Sequence, residues 1–201
     1  MSTNGFFTAI ESLDGVGKST LVTNLERTLG AVRMSTPGAL LRPHMDTLLA
    51  PIAGDQLARA ILYASTVVRE GQLACNSAAA GNLVVMDRYW LSTIAYARAR
   101  GLATDLTELE AKIPRPDLTL FLTLDEDERV RRLDGRGNAT AADIETLNPA
   151  FRKAVLTEML LPHRATAFNV VTVDVTGLSP AELAAKVAAI IVESWLRRSA
   201  A

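Results

Sequence analysis

The run from Phe6 to Leu21, FFTAIESLDGVGKSTL, constrains this chain more than any other stretch, because strand, glycine-rich turn and helix start follow without a break. Phe6 to Glu11 has the β-branched and aromatic makeup of a buried strand, and its apolar pattern stops at Ser12. Gly15 and Gly17 leave the backbone without Cβ atoms where a polyanion must come close. A helix beginning near Lys18 aims its partial positive end at the same point. The spacing follows the P-loop pattern G-x-x-x-x-G-K-[ST]: backbone N–H groups converge on phosphate oxygens, the lysine reaches the terminal phosphates and the hydroxyl binds magnesium. Lys18 and Ser19 take those last two roles. One position departs from the pattern, since Ser12 stands where it has its first glycine. A helix N-cap at Ser12 or Asp14 before an ordinary glycine-rich turn is the simpler alternative. It leaves the agreement of strand, G-x-G-K-S-T and helix unexplained.

At 201 residues, 49% of them hydrophobic, the chain has material for one buried α/β core and too little for two, so a single domain over residues 1–201 is expected. A formal net charge of -1 argues against the broad basic face of sequence-independent nucleic-acid binding. No nucleic-acid partner is expected, and any anion site must be local. The longest apolar runs, such as VAAIIV from Val187, fall far below membrane-spanning length, and no charged segment with a following apolar core opens the chain. A soluble, cytoplasmic protein without a membrane partner is the expectation. The one cysteine, Cys75, cannot pair within the chain and sits in an alanine-rich helical stretch, where a small buried hydrophobe is its reading.

Along the chain, Leu21, Val22, Leu25 and Leu29 recur at helical spacing up to Gly30, and Ala31 to Met34 is a weak second strand. Residues 36–54 hold Pro37, Gly38, Pro43, Pro51 and Gly54 and read as a loop with one short helix around Met45 to Leu49. A long helix is predicted from Asp55 to Ala80, with Leu57, Ile61, Ala64 and Val68 on one face and Gly81 as its stop. Leu83 to Met86 form a strand closing on Asp87-Arg88, charges placed where doubly wound sheets keep their ligands. Helices follow over Tyr89 to Arg100 and Leu106 to Ile113, then a strand within PDLTLFLTLD, then a helix from Glu126 to Arg136 with Arg129, Arg132 and Arg136 on one stripe. Small residues up to Ala142 mark a mobile segment, a lid at about 134–147. A helix is predicted over Asn148 to Phe168, a last strand over Val170 to Val175 and a final helix from Ser179-Pro180. Five strands alternating with helices predict an α/β three-layer sandwich: a five-stranded, mainly parallel sheet covered on both faces. That is the architecture a P-loop expects.

With these motifs in order, the chain resembles the thymidylate kinases, within the P-loop nucleoside monophosphate kinases. Glu11, Leu13, Asp14, Gly15, Gly17, Lys18, Ser19 and Thr20 match a strand ending in Glu followed by G-x-D-G-x-G-K-S-T. Asp87, Arg88, Tyr89, Ser92, Ala95 and Tyr96 match D-R-[YF]-x-x-S-x-x-A-Y, and Arg115 to Leu120 match R-P-D-L-T-L. Arg132 and Arg136 match arginines at the start of the family's lid. The resemblance implies a homodimeric kinase using ATP and Mg2+, with Asp14, Gly15, Val16, Gly17, Lys18, Ser19 and Thr20 on ATP and Lys18, Arg88, Arg132 and Arg136 in catalysis. Asp14, Pro37, Arg42, Tyr63, Arg88, Ser92 and Tyr96 would meet the acceptor, Asp14 at its sugar hydroxyl, while Ser19 and Asp87 would serve the metal. Asp87 acts on magnesium through water or on the acceptor. Without the resemblance, Arg132 and Arg136 read equally as a solvated helix face, and Tyr63 and Tyr96 as packing residues.

The departures concern the acceptor side. The family's T-R-E-P-G-G loop appears as Ser35-Thr36-Pro37-Gly38-Ala39, and its F-A-A-D-R segment, whose arginine helps read the thymine base, as Tyr63 to Val67. Val67 replaces that arginine, Ala97 the glutamine after the signature tyrosine, and the acidic-arginine pair deeper in the lid is not recognisable around Asp143. Gly15 and Val16 leave no arginine inside the P-loop, so the lid must supply one. The acceptor therefore stays open between dTMP, another nucleotide, a nucleoside and a nucleoside-like metabolite. A nucleotide-binding protein without transfer activity and a bare ATPase switch are the rival classes.

Overall fold

A computed structural model describes residues 5–135 and 141–200. Its first unit is the expected one: β1 (Phe6–Glu11), a loop, and α1 (Lys18–Leu29), which ends on Gly30 in the left-handed conformation at φ 64°. β2 (Val32–Ser35), the short α2 (Met45–Leu49), the long α3 (Gln56–Ala79), β3 (Leu83–Asp87) and α4 (Trp90–Ala99) follow. Asp55 caps α3, its carboxylate accepting from the Ala58 N–H. The second half holds α5 (Thr107–Glu110), β4 (Leu118–Thr123), α6 (Glu126–Asp134), α7 (Ala141–Leu147), α8 (Pro149–Met159), α9 (Pro162–Ala167), β5 (Val170–Asp174) and α10 (Pro180–Ala200).

The strands form one sheet in the order β2-β3-β1-β4-β5, every pairing parallel. β1 is buried along its whole length between β3 and β4, so it needs apolar residues on both faces. Phe7, Ala9, Met86 and Phe121 point into a core closed by α3, α4 and α8. Phe6, Ile10, Val85 and Leu120 point the other way, against α1 and α10. The chain leaves β1 first toward β2 and later toward β4, so the order reverses beside β1. A crevice opens at such a reversal, at the carboxyl ends of the strands.

Three predicted elements differ. The helix expected over 148–168 is two helices, because Pro162 has no N–H to donate and holds Leu161 extended at φ -54°, ψ 131°. The stretch from Leu106 to Ile113 is helical over Thr107–Glu110 alone. On α3 the core face is the stripe of small residues Ala60, Ala64, Val67, Gly71, Ala74 and Ala78, which lets the helix lie close to the sheet and α4. Of the expected face, Ala64 is buried in this core and Val68 packs against it, whereas Leu57 and Ile61 are exposed, so the first two turns of the face are misplaced.

Candidate active site

Gly15 and Gly17 carry φ 92° and 101°, values that bring backbone N–H groups round to one side and exclude most side chains. A Cβ on Gly15 would also come within 3.0 Å of Arg129 and Leu133, so α6 lies directly on the loop. Lys18 is buried at the start of α1, its ammonium donating to Ser12 Oγ at 2.9 Å, Leu13 O at 2.8 Å and Ser12 O at 3.2 Å. Burial, then the nearby Arg88, lowers its pKa to about 8 against the opposing pull of Asp14 and Asp87.

Ser19 Oγ donates to Asp87 Oδ2 at 3.0 Å, which joins the first turn of α1 to the end of β3. A hydroxyl and a carboxylate beside a phosphate cradle are hard oxygen donors of the kind magnesium takes along with substrate phosphates. These two residues fit that ion.

Arg88 follows β3 with φ 64°, an unusual value for a residue with a side chain. Its N–H donates to Ile10 O and its carbonyl accepts from Thr36 Oγ1, so the strained backbone is held from both sides. The guanidinium pairs with Asp14 and lies 5.9 Å from the Tyr96 ring centre. Its ion pair is therefore with the loop and not with its neighbour Asp87. Burial disfavours its charge, but Asp14, Tyr96 and Asp87 outweigh this and keep it above the ordinary arginine value. Below it, the fully buried Glu11 accepts from the N–H groups of Tyr89 and Ser92 at 3.0 and 3.1 Å and from the Ser92 hydroxyl. The helix α4 has no cap from its own N-cap side chain, so a carboxylate on β1 does that work. Burial pushes the Glu11 pKa up, against these hydrogen bonds.

A cleft of about 450 Å³ gathers Asp14, Gly15, Gly17, Lys18, Ser19, Pro37, Arg42, Tyr63, Asp87, Arg88, Ser92 and Tyr96 from the sequence-predicted set. Val16 instead packs into the core beside α1, and Thr20 faces a second groove of about 350 Å³ with Gly15, Gly17, Arg132, Leu178 and Pro180. Arg132 lies over the loop, donating to Val16 O at 3.3 Å while pairing with Glu128. Arg129, on the same predicted stripe, is buried and ties Glu126, Asp14 O and Thr146 together. It is a brace between the loop, α6 and α7. Arg136 and residues 137–140 of the expected lid lie outside the described residues; Ala141–Leu147 of that lid are helical, as α7.

The cleft also contains Thr36, Gln56, Arg59, Ala60, Thr93 and Arg100, none of which the sequence reading singled out. Arg100 is bonded to Glu145 of α7 and sits 5.3 Å from the Tyr96 ring centre. Gln56, Arg59, Ala60 and Tyr63 fall at positions i, i+3, i+4 and i+7, a helical-face signal hidden because their side chains are of mixed type. Val67 is fully buried in the core and does not line the cleft.

The family model described as thymidylate kinase matches residues 10–177. A thymidylate kinase of Xanthomonas oryzae is 35% identical over 143 residues, 67% of this chain and 63% of that protein. The matched region thus spans less than two thirds of that relative's length. A probable thymidylate kinase of Pyrococcus abyssi is 30% identical over 154 residues, 69% of this chain and 75% of that protein. In three dimensions the chain is similar to a thymidylate kinase from Candida albicans, with a TM-score of 0.74 and 24% identity over 97% of this chain and 95% of the other.

Proposed function

The chain belongs to the thymidylate kinase family, and from that premise we propose that it moves the γ-phosphoryl group of ATP to a nucleoside monophosphate, dTMP or a related nucleotide. The observation carrying the proposal is that two openings share Gly15 and Gly17, the cleft with Asp14 and Arg88 on one side and the groove with Thr20 and Arg132 on the other. Donor and acceptor would approach the loop from opposite sides, as in-line transfer requires.

The donor β- and γ-phosphates would lie on the loop N–H groups and Lys18, with Arg132 reaching the transferring group. Ser19 and Asp87 would hold Mg2+, which neutralises developing charge on the phosphate oxygens when bound. Arg88, with Arg42 nearby, would hold the acceptor phosphate, and Asp14 the sugar hydroxyl. An acceptor phosphate oxygen then attacks the γ-phosphorus as the bond to the β-bridging oxygen breaks and ADP leaves. Positioning and cationic stabilisation carry the rate. Assembly as a homodimer in the cytoplasm belongs to the same reading. Leu57 and Ile61, exposed on α3, are apolar surface available to that assembly. Among the described residues no helix is long and apolar enough to cross a membrane.

The test is ADP formation from ATP and Mg2+ with deoxy- and ribonucleoside monophosphates, nucleosides, or water alone. Turnover that depends on a monophosphate, vanishes in Lys18→Ala and falls roughly 100-fold in Arg88→Ala is expected. Stimulation by nucleosides alone would shift the acceptor class, and ATP binding without stimulated turnover would favour a nucleotide-binding protein.

A further inference from the structure

We infer that Arg59 determines acceptor specificity, selecting nucleobases with a keto oxygen at purine C6 or pyrimidine C4 (guanine, thymine, uracil) over adenine and cytosine, which carry an amine at that position. The inference rests on the nucleotide-acceptor reading of the cleft. Arg59 stands on the α3 wall one turn before Tyr63, whereas Lys18, Ser19 and Arg88, the groups suited to phosphate, come from the first turn of α1 and the end of β3. α4 contributes Tyr96 and the small Ala97 to the same cleft, and Ala60 is small on the α3 side. Tyr63 and Tyr96 share the cleft lining with two small alanines, a lining suited to a flat ring, and aromatic side chains stack on any base without reading its edge. Something else must read the edge.

The Nε of Arg59 is buried and has no hydrogen-bond partner among the described residues. Of the other cleft arginines, Arg88 is paired with Asp14, Arg100 with Glu145, and Arg42 donates to Pro37 O at 3.5 Å. A buried donor left unmet is costly and anchors the guanidinium to nothing, so a ligand that turns the fork outward to meet it gains that free energy on binding. A guanidinium has donors and no acceptor. Guanine offers O6 and N7 side by side, and thymine and uracil offer O4, whereas adenine sets an amine beside N7 and cytosine points an amine outward. Donors facing donors repel. Guanine should satisfy the fork best, thymine and uracil next.

The experiment is calorimetric binding of dGMP, dTMP, dUMP, dAMP and dCMP to the full chain, with acceptor kcat/KM measured in parallel. Wild type should favour the keto nucleotides roughly 10- to 100-fold, the range of a bidentate base contact. Arg59→Gln, a good helix former whose carboxamide both donates and accepts, should bring the ratio to within a few-fold. Arg59→Lys keeps the charge and should also lose the ratio, because it lacks the fork. Uniform weakening of all the nucleotides in Arg59→Gln with recovery in Arg59→Lys would make Arg59 a phosphate grip and overturn the inference, as would a wild type without keto preference or without binding. Binding reads the preference without turnover: preference without ADP formation defeats the kinase reading alone, and turnover without preference defeats the inference alone.

Discussion

Ser12 occupies the one loop position that departs from the glycine pattern, and its hydroxyl is one of three acceptors holding the Lys18 ammonium. If Lys18 serves the donor phosphates as proposed, they must draw it away from that hold, and the hydroxyl then competes with the donor. Ser12→Ala removes Oγ while keeping Cβ, and Ser12 is not among the residues with positive φ, so alanine fits the backbone. A hydrogen bond to a charged group contributes about 1.5–3 kcal/mol. Part is returned, because Ser12 Oγ also donates to Leu13 O at 2.7 Å and its removal frees that carbonyl for Lys18. A net release of about 1 kcal/mol makes the donor bind roughly fivefold tighter. Titration with a non-hydrolysable ATP analogue and Mg2+ should show that tightening, with kcat changed less than about twofold because the lost contact belongs to the donor-free state. Ser12→Gly should tighten binding equally. Binding unchanged or weaker in both variants refutes the competition, and tightening in glycine alone assigns the effect to backbone freedom.

Two further outcomes follow from buried charges. Glu11→Ala orphans the N–H groups of Tyr89 and Ser92 and the Ser92 hydroxyl, and should cost about 3–5 kcal/mol in urea unfolding, with Glu11→Gln milder; a loss under about 1 kcal/mol contradicts the clamp. Lys18 has a folded pKa of about 8, below the 10.5 of a free lysine, so between those values the unfolded chain binds more protons and stability rises with pH. Relative to Lys18→Met, wild type should gain stability across that window, by up to about 3 kcal/mol, while donor affinity falls above pH 8; parallel curves for the two proteins sink the assignment.

The sequence was most legible where one stretch sets several elements at once. β1, the loop and α1 lie where hydrophobic pattern and glycines put them, as do Asp87 and Arg88 at the end of β3. What it hid was side-chain partnership across long separations. Arg129 reads only as a member of the stripe with Arg132 and Arg136, yet its guanidinium reaches Asp14 O, 115 residues away in sequence. Glu11 reads as the polar end of a strand, and its role as a cap for α4 exists only because β1 and β3 are neighbours. The buried face of α3 was misread for a related reason: large side chains signal burial in most helices, but close approach to a sheet selects alanine and glycine.

Net charge was blind to the site for a physical reason. The chain totals -1, yet the cleft sets Lys18, Arg42, Arg59, Arg88 and Arg100 against Asp14 and Asp87. At the loop end the two signs balance, Lys18 and Arg88 against the two aspartates, and the Arg88–Asp14 pair links the two halves of that end. On the proposed reading, an acceptor phosphate drawn to the Arg88 fork competes with Asp14, which holds Nη2, and Asp14 already has the Tyr96 hydroxyl 3.5 Å away. The backbone of Arg88 need not move, because Ile10 O and Thr36 Oγ1 hold it. Competition of a phosphate with that carboxylate on a fixed guanidinium would let Asp14 turn toward the acceptor sugar while Lys18 and Tyr96 still flank it, so that on this reading acceptor binding prepares its own second contact.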